Sequence, residues 1–327
     1  MCGIAGILDL KEKASLKTSI ESMKAAIRHR GPDEHGTFLD EVLGVSLGHQ
    51  RLSILDVEGG KQPFVSNDGQ IVLIFNGEIY NYLSLRNKFI KENFPIISHS
   101  DTEVIVYAYK KWGIDCLNYL RGMFAFALWD KTKRRLFCAR DRLGIKPFYF
   151  FFNQEKFIFA SEIKSILASN RINAELNTLG LEDYLTFQFC LEDQTLFKYI
   201  KKLEPGYFLT INLKEDKLIK LSKQYWEVNY AACEVVSESY YTDRLSELLK
   251  ESINLHLQAD VPLGAHLSGG LDSSSIVCLL KQQLTQQSNF KTFTGKFSAG
   301  VDYDESRYAS EVAYFVKSHH HEITLSD

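Results

Sequence analysis

LSGGLDSSS, residues 267–275, joins two stretches of opposite character. VPLGAHL (261–267) before it is an apolar run of strand length, and residues 273–286 after it follow a helical pattern. Two adjacent glycines let the chain turn tightly and aim several backbone N–H groups at one point. Ser268, Ser273 and Ser274 add hydroxyls, and the following helix adds its positive N-terminal end. A junction of this kind cradles an anion such as phosphate. It has neither the spacing of a Walker A loop nor a GxGxxG fingerprint. Asp272 suits a phosphate pocket only with Mg²⁺ between carboxylate and phosphates. A plain strand-to-helix turn with a Ser or Asp cap is the simpler alternative, and the full string in this context favours a nucleotide.

Outward from this junction the pattern alternates. A helix over 242–257 carries Leu245, Leu248, Leu249, Ile253 and Leu257 on one face. Strands are predicted at 261–267, 291–297 and 320–325, with helices at 273–286 and 304–317. That succession implies an α/β parallel sheet. The first part of the chain differs. Runs at 42–55, 70–77, 122–130, 134–140, 147–152 and 156–162 are β-branched or aromatic and bounded by turn residues. Helices interleave without regular alternation, which implies α+β layers. Ser100 and Glu103 form a capping-box pattern at the head of a helix over 100–113 that ends at Gly113. The expected organisation is one domain over 2–210, a connection over 211–239 and a second domain over 240–327.

The 327 residues are 45% hydrophobic and 24% charged, as in ordinary soluble domains. A net charge of −3 leaves no basic footprint for nucleic acid. The greasiest run, FYFFF (148–152), is far too short to span a membrane. Cysteines 2, 116, 138, 190, 233 and 278 show no CxxC pair and no zinc spacing, so free thiols in a reducing cytoplasm are expected.

MCGIAGILDL (1–10) places Cys2 directly after the initiator methionine with no export signal behind it. It reads either as an ordinary first strand or as a nucleophile that uses a free α-amine. Four further segments are ambiguous alone. FNGEIYN (75–81) contains Asn-Gly, a hairpin signal, but a helix-like stretch follows it. HRGPDEHG (29–36) reads equally as a solvated loop. GHQRLSILD (48–56) sets Arg51 inside an apolar strand, where it needs a carboxylate or a ligand. HSDTE (99–103) carries Asp101 in a first helical turn.

Together, MCGIAGI, RHRGPDEHG, HQRLSILD, FNGEIYN and SDTEVI resemble the class II glutamine amidotransferase domain. SGGLDSS resembles the PP-loop of ATP pyrophosphatase-type domains. Their order resembles the glutamine-hydrolysing asparagine synthetase family. The resemblance implies a four-layer αββα N-terminal-nucleophile sandwich, an α+β domain, followed by an incomplete α/β parallel-sheet PP-loop domain. It implies removal of Met1, with Cys2 as the N-terminal nucleophile and its amine as the base. Asn76 and Gly77 would hold the oxyanion. Glutamine would meet Arg51, Leu52, Ser53 and Ile54, with Arg51 on its α-carboxylate and Glu78 and Asp101 on its α-ammonium. ATP with Mg²⁺ would meet Leu267, Ser268, Gly269, Gly270, Asp272, Ser273 and Gly295, the metal near Asp272.

The implied reaction adenylates aspartate, and tunnelled ammonia displaces AMP to give asparagine. A sugar or peptide acceptor, or a glutaminase-only remnant, are the alternatives. The resemblance also places Asp304 and Glu305 at a helix start near the nucleotide site. His319, His320 and His321 make a poor shared metal site because neighbours on a strand face opposite ways, and the resemblance to a family with histidines here implies that they are structural. Family members continue with an SGDGGDE-like segment, so the second domain is expected to stop after about its third strand, with a homodimer or a missing C-terminal half as partner. KTFTGKF departs from the family strand at Gly295 and Lys296.

Overall fold

β1 (Gly3–Asp9) has no exposed residue, because it lies mid-sheet with layers on both faces. The structure, a computed structural model, describes residues 1–230, 237–284, 290–297 and 304–325, so Cys233 lies outside the described residues. It divides into two units, Met1–Asn229 and Tyr230–Asp327.

The first unit contains two antiparallel sheets. One runs, in spatial order, β10 (Lys201–Lys202), β8 (Tyr149–Phe152), β9 (Lys156–Ala160), β1, β3 (Val45–Arg51) and β2 (Glu34–Asp40). The other runs β12 (Lys217–Gln224), β11 (Tyr207–Lys214), β7 (Arg135–Arg140), β6 (Gly122–Asp130), β5 (Ile71–Ile79) and β4 (Phe64–Val65). Alternation along the strands builds the layers. Ile4 and Leu8 of β1, Val72 and Ile74 of β5, Trp129 of β6 and Phe157 and Phe159 of β9 fill the space between the sheets. The opposite face of β1, Ala5 and Ile7, packs on α1 (Leu16–Ala26) and α4 (Ile163–Leu167). Leu73 and Phe75 of β5 pack on α2 (Tyr82–Lys91) and α3 (Asp101–Trp112). The order is therefore helix, sheet, sheet, helix, as expected. Truncating fully buried Trp129 or Phe124 to alanine would cost about 3–5 kcal/mol.

Three local expectations change. The first unit extends past residue 210, because β11 and β12 pair from Tyr207 with Gln224 to Lys214 with Lys217. Residues 211–224 are thus sheet, not connection. β5 outruns the expected strand at 70–77. It runs to Ile79, with Asn76 opposite Ala125 and Gly77 opposite Phe124 of β6. The capping box is also altered. The Ser100 hydroxyl accepts the Thr102 N–H at 3.1 Å, but Glu103 turns to the N–H groups of Ile97 and Ser98. α5 (Thr178–Phe187) buries little beyond Gly180.

The second unit orders α6 (Glu238–His256), β13 (Gly264–His266), α7 (Leu271–Gln283), β14 (Lys291–Phe297), α8 (Ser306–Val316) and β15 (His319–Leu325). Its three strands are parallel in the order β13, β14, β15, the α/β pattern expected from sequence. Ile253, Leu267, Val277, Leu280, Phe290 and Ala309 form its core. Of the α6 stripe, Ile253 is buried and Leu257 packs against it, whereas Leu245, Leu248 and Leu249 are exposed. A three-stranded sheet is too small to cover a 19-residue helix. His320 bonds Thr292 at 2.9 Å and His321 stacks on Phe293, a structural use of both rings. No helix among the described residues is long and apolar enough to cross a membrane.

Candidate active site

Cys2 precedes β1 at one end of the first sheet. Ile4 and Leu8 face the second sheet, so by alternation Cys2 does too. Its sulfur accepts the Leu52 N–H at 3.3 Å and lies 3.6 Å from the Leu52 carbonyl. Its carbonyl accepts the Arg30 Nε at 3.0 Å. Burial pushes the thiol pKa up, while the Leu52 N–H, the chain's amino terminus and Arg51 pull the other way. The resting group is a thiol. Burial lowers the pKa of the terminal amine at Met1.

β5 faces Cys2 from the other sheet. Val72 and Ile74 point into the inter-sheet layer, and Asn76 and Glu78 continue that face. Asn76 is 1% exposed and its Nδ2 has no hydrogen-bond partner among the described residues. A buried amide donor left open is costly unless something is meant to receive it. At Gly77 a Cβ would collide with the Met123 carbonyl and come within 2.7 Å of the Phe124 Cα, so glycine is what lets β5 close on β6 here.

Glu78 and Asp101 form the acidic end. Asp101 opens α3, is 4% exposed and accepts the Ile79 N–H at 2.9 Å. Burial pushes both carboxyls up; Asp101 adds to this at Glu78, and Lys146 opposes it. Two such groups share fewer than two charges near neutral pH, and an arriving cation would restore the second.

Arg51 is more occupied than its expected role allows. It bonds Glu34 at 2.6 Å and the carbonyls of Val57, Leu55 and Asp56 at 2.9, 3.1 and 2.7 Å. The guanidinium fork thus holds the 52–60 loop, and a carboxylate would have to displace Glu34 or share its place. The HRGPDEHG segment steadies the same loop, since Asp33 accepts the Ser53 N–H at 2.8 Å.

Cys2, Arg51, Leu52, Ile54, Gly77, Glu78 and Asp101 line one cleft with Leu55, Gly60, Gln62 and Thr102. Ser53 is not on its wall. Gln62 and Lys146 carry no sequence signal in their local motifs. The Gln62 Oε1 accepts the Phe75 N–H at 2.6 Å. Lys146 is 5% exposed in a loop pinned by Asp141.

In the second unit the 267–275 loop is pre-shaped. Gly269 has φ +91°, and a Cβ there would sit 2.9 Å from the Glu305 carbonyl and 2.8 Å from the Ala309 N. The Ser268 and Ser273 hydroxyls are 3.0 Å apart, and the Gly270 N–H reaches Ser268 at 3.3 Å. Gly270 caps α7, whose first turn holds Asp272 and Ser273. Leu267 does not face a ligand: the residue is fully buried in the core, its N–H donates to the Phe293 carbonyl at 2.9 Å and its carbonyl accepts the Thr294 hydroxyl. Gly295 lies on β14 opposite Ile323, two residues past the His266–Phe293 pair, level with Ser268. The Asp304 carboxylate accepts the Ser306 N–H and Glu305 caps α8, so both serve the helix start. Among the described residues, no three His, Cys, Asp or Glu side chains group to hold a metal ion.

Residues 1–226 match the family model described as a glutamine amidotransferase domain, and residues 244–327 match asparagine synthase. A protein provisionally named glutamine-hydrolysing asparagine synthetase 2, from Methanocaldococcus jannaschii, is 38% identical over 98% of this chain and 64% of its own length. Glutamine-hydrolysing asparagine synthetase 1 of Bacillus subtilis is 39% identical over 86% of this chain and 44% of its own length. The chain thus spans about half to two thirds of these relatives. The solved glutamine phosphoribosylpyrophosphate amidotransferase of B. subtilis superposes with a TM-score of 0.54 at 15% identity, over 99% of this chain and 91% of that one, a likeness of fold.

Proposed function

The chain belongs to the glutamine amidotransferase family, its domain followed by asparagine synthase sequence, and on that premise we propose that it hydrolyses glutamine at Cys2 and passes the ammonia to an ATP-activated aspartate. The observation that carries the reading is one cleft lined by the Cys2 thiol and by two carboxylates, Glu78 and Asp101, that need a cation.

Removal of Met1 frees the Cys2 amine beside its own thiol. The amine takes the thiol proton as the sulfur attacks the side-chain carbonyl carbon of glutamine. The Asn76 Nδ2 and the Gly77 N–H receive the oxyanion, each donor contributing about 3–4 kcal/mol in comparable sites. The proton passes to the leaving nitrogen, the C–N bond breaks and ammonia departs. Water then hydrolyses the thioester to glutamate. Glu78 and Asp101 bind the α-ammonium, and Arg51 binds the α-carboxylate by exchanging it for Glu34.

In the second unit, Ser268, Gly269, Gly270, Asp272 and Ser273 cradle the phosphates of ATP, with Mg²⁺ arriving as part of that substrate. The aspartate β-carboxylate attacks the α-phosphate, pyrophosphate leaves, and ammonia displaces AMP to yield asparagine. Released glutamate, assayed beside Cys2→Ala, tests the first half, and aspartate-dependent pyrophosphate release tests the second. Glutamate release that persists in Cys2→Ala would overturn the assignment of the nucleophile.

A further inference from the structure

A lysine is buried at the same end of the sandwich and has no place in the steps above. Lys146 is 5% exposed. It closes a loop whose shape is set by Asp141, which accepts the N–H groups of Phe124, Leu143, Ile145 and Lys146. Arg140 donates to the Lys146 carbonyl at 2.7 Å and fixes the exit. The loop therefore delivers the side chain in a defined direction.

Strand register gives that direction. β8 and β1 flank β9 on either side, and both Tyr149 and Ala5 lie opposite Ala160. Lys146, in the loop before β8, precedes Tyr149 by three residues, and Cys2, just before β1, precedes Ala5 by three, so the two segments leave the sheet at a similar level. They are two strand spacings apart, roughly 10 Å between backbones, which a lysine side chain can largely span. Phe148 and Phe150 face the inter-sheet layer, as do Ile4 of β1 and Ile74 of β5. Cys2 and Lys146, each just outside its strand, and Glu78 of β5 thus lie at one end of that layer. The charges acting on Lys146 agree with this placement: Glu78 first, then Cys2, Arg30 and Asp141.

We infer that Lys146 is a positioning residue of the glutamine site: its buried ammonium is the standing counter-charge of Glu78 and keeps that carboxylate available to a substrate ammonium. The inference rests on the glutamine reading of the cleft. It gives a charge balance that the cleft otherwise lacks. Glu78 and Asp101 present two negative charges. A glutamine α-ammonium supplies one positive charge, and Lys146 supplies the other. Without Lys146, Glu78 would hold its proton more tightly in the free site, and a cationic substrate would have to expel it. The other charged or titratable groups facing this pair are the terminal amine, Cys2 just before β1, Arg51 on β3, Tyr80 after β5, Asp101 at the head of α3, and Arg30 and Asp141 on the flanking turns. None of the cations among them acts on Glu78 as Lys146 does.

The test compares the full chain with Lys146→Met, Lys146→Gln and Lys146→Arg, each first shown to be folded by its melting transition. Glutamine KM and kcat are measured across pH, and the Glu78 carboxyl is titrated by carboxyl-¹³C NMR, its resonance assigned with Glu78→Gln. Removing the charge should shift the Glu78 midpoint up by about one pH unit and raise KM near neutral pH about fivefold to tenfold, with a smaller effect on kcat. Arg should restore both. A merely structural lysine would lower activity evenly across pH and leave the Glu78 midpoint in place, and an unmoved midpoint in the folded Met or Gln variant overturns the inference. Should the unaltered chain release no glutamate, the glutamine reading falls, while the carboxyl titration still decides whether Lys146 serves Glu78.

Discussion

Leu52 donates its backbone N–H to the Cys2 sulfur at 3.3 Å, and its carbonyl stands 3.6 Å from the same atom. The loop that would hold the substrate therefore also holds the attacking group. Its N–H favours a thiolate and its carbonyl favours a thiol, so one residue is poised to serve both states.

Replacing Cys2 by alanine is expected to reduce glutamate release by at least about a thousandfold, because no other cysteine among the described residues lines the cleft. A glutaminase assay of the purified chain checks this, with intact mass confirming that Met1 has been removed. Retention of Met1 should silence the chain in the same way, since its amide bond takes the base away.

Asn76→Ala should lower kcat about 10²- to 10³-fold with KM changed only a few-fold. Among the described residues the Nδ2 has no partner, and in the proposed mechanism it would gain one when the oxyanion forms. Steady-state kinetics separate the two parameters; an equal rise in KM with kcat intact would assign Asn76 to substrate binding instead.

Glutamine KM should fall as pH rises between about 6 and 8, the range over which Asp101 and Glu78 lose their protons. The sign follows from the upward direction of both shifts. Burial holds protons on the pair at lower pH, a cation binds the ionised pair, and so acid opposes binding. KM measured across a buffer series checks this, and a flat profile would remove the carboxylates from substrate binding.

Gly269→Ala should abolish the stabilisation that MgATP confers on the chain. At a hundredfold excess over Kd that stabilisation is about 2.7 kcal/mol. The substituted Cβ would press on Glu305 and Ala309 from a backbone at φ +91°, and so deform the loop that meets phosphate. Thermal melts with and without MgATP read the difference, and an undiminished shift would place the nucleotide elsewhere.

Much of this architecture is legible in the amino-acid order. Buried runs such as Gly3–Asp9 and Gly122–Asp130 announce strands, and Ser100 announces the start of α3. The candidate cleft is legible through Cys2, Glu78 and Asp101, whose polar side chains interrupt apolar segments. What sequence obscures is tertiary. Asn76-Gly77 carries a hairpin signal, yet pairing with Ala125 and Phe124 keeps the strand straight through it. Arg51 reads as a ligand-binding arginine, but whether its fork meets substrate or its own loop depends on Glu34 and on carbonyls distributed over residues 55–57. Lys146 carries no local signal, because its significance comes from register across β9.

The alternation of β5 has a genetic consequence. From Ile71 to Ile79, odd positions build the outer core while even positions run from Val72 and Ile74 to Asn76 and Glu78. Gaining or losing a single codon in this stretch would exchange the two sets, burying the acid and amide among helices and turning aromatic bulk toward the cleft. Apolar positions here can drift one at a time, but length cannot, so among functional descendants of this gene the stretch should accumulate changed apolar letters and no indels.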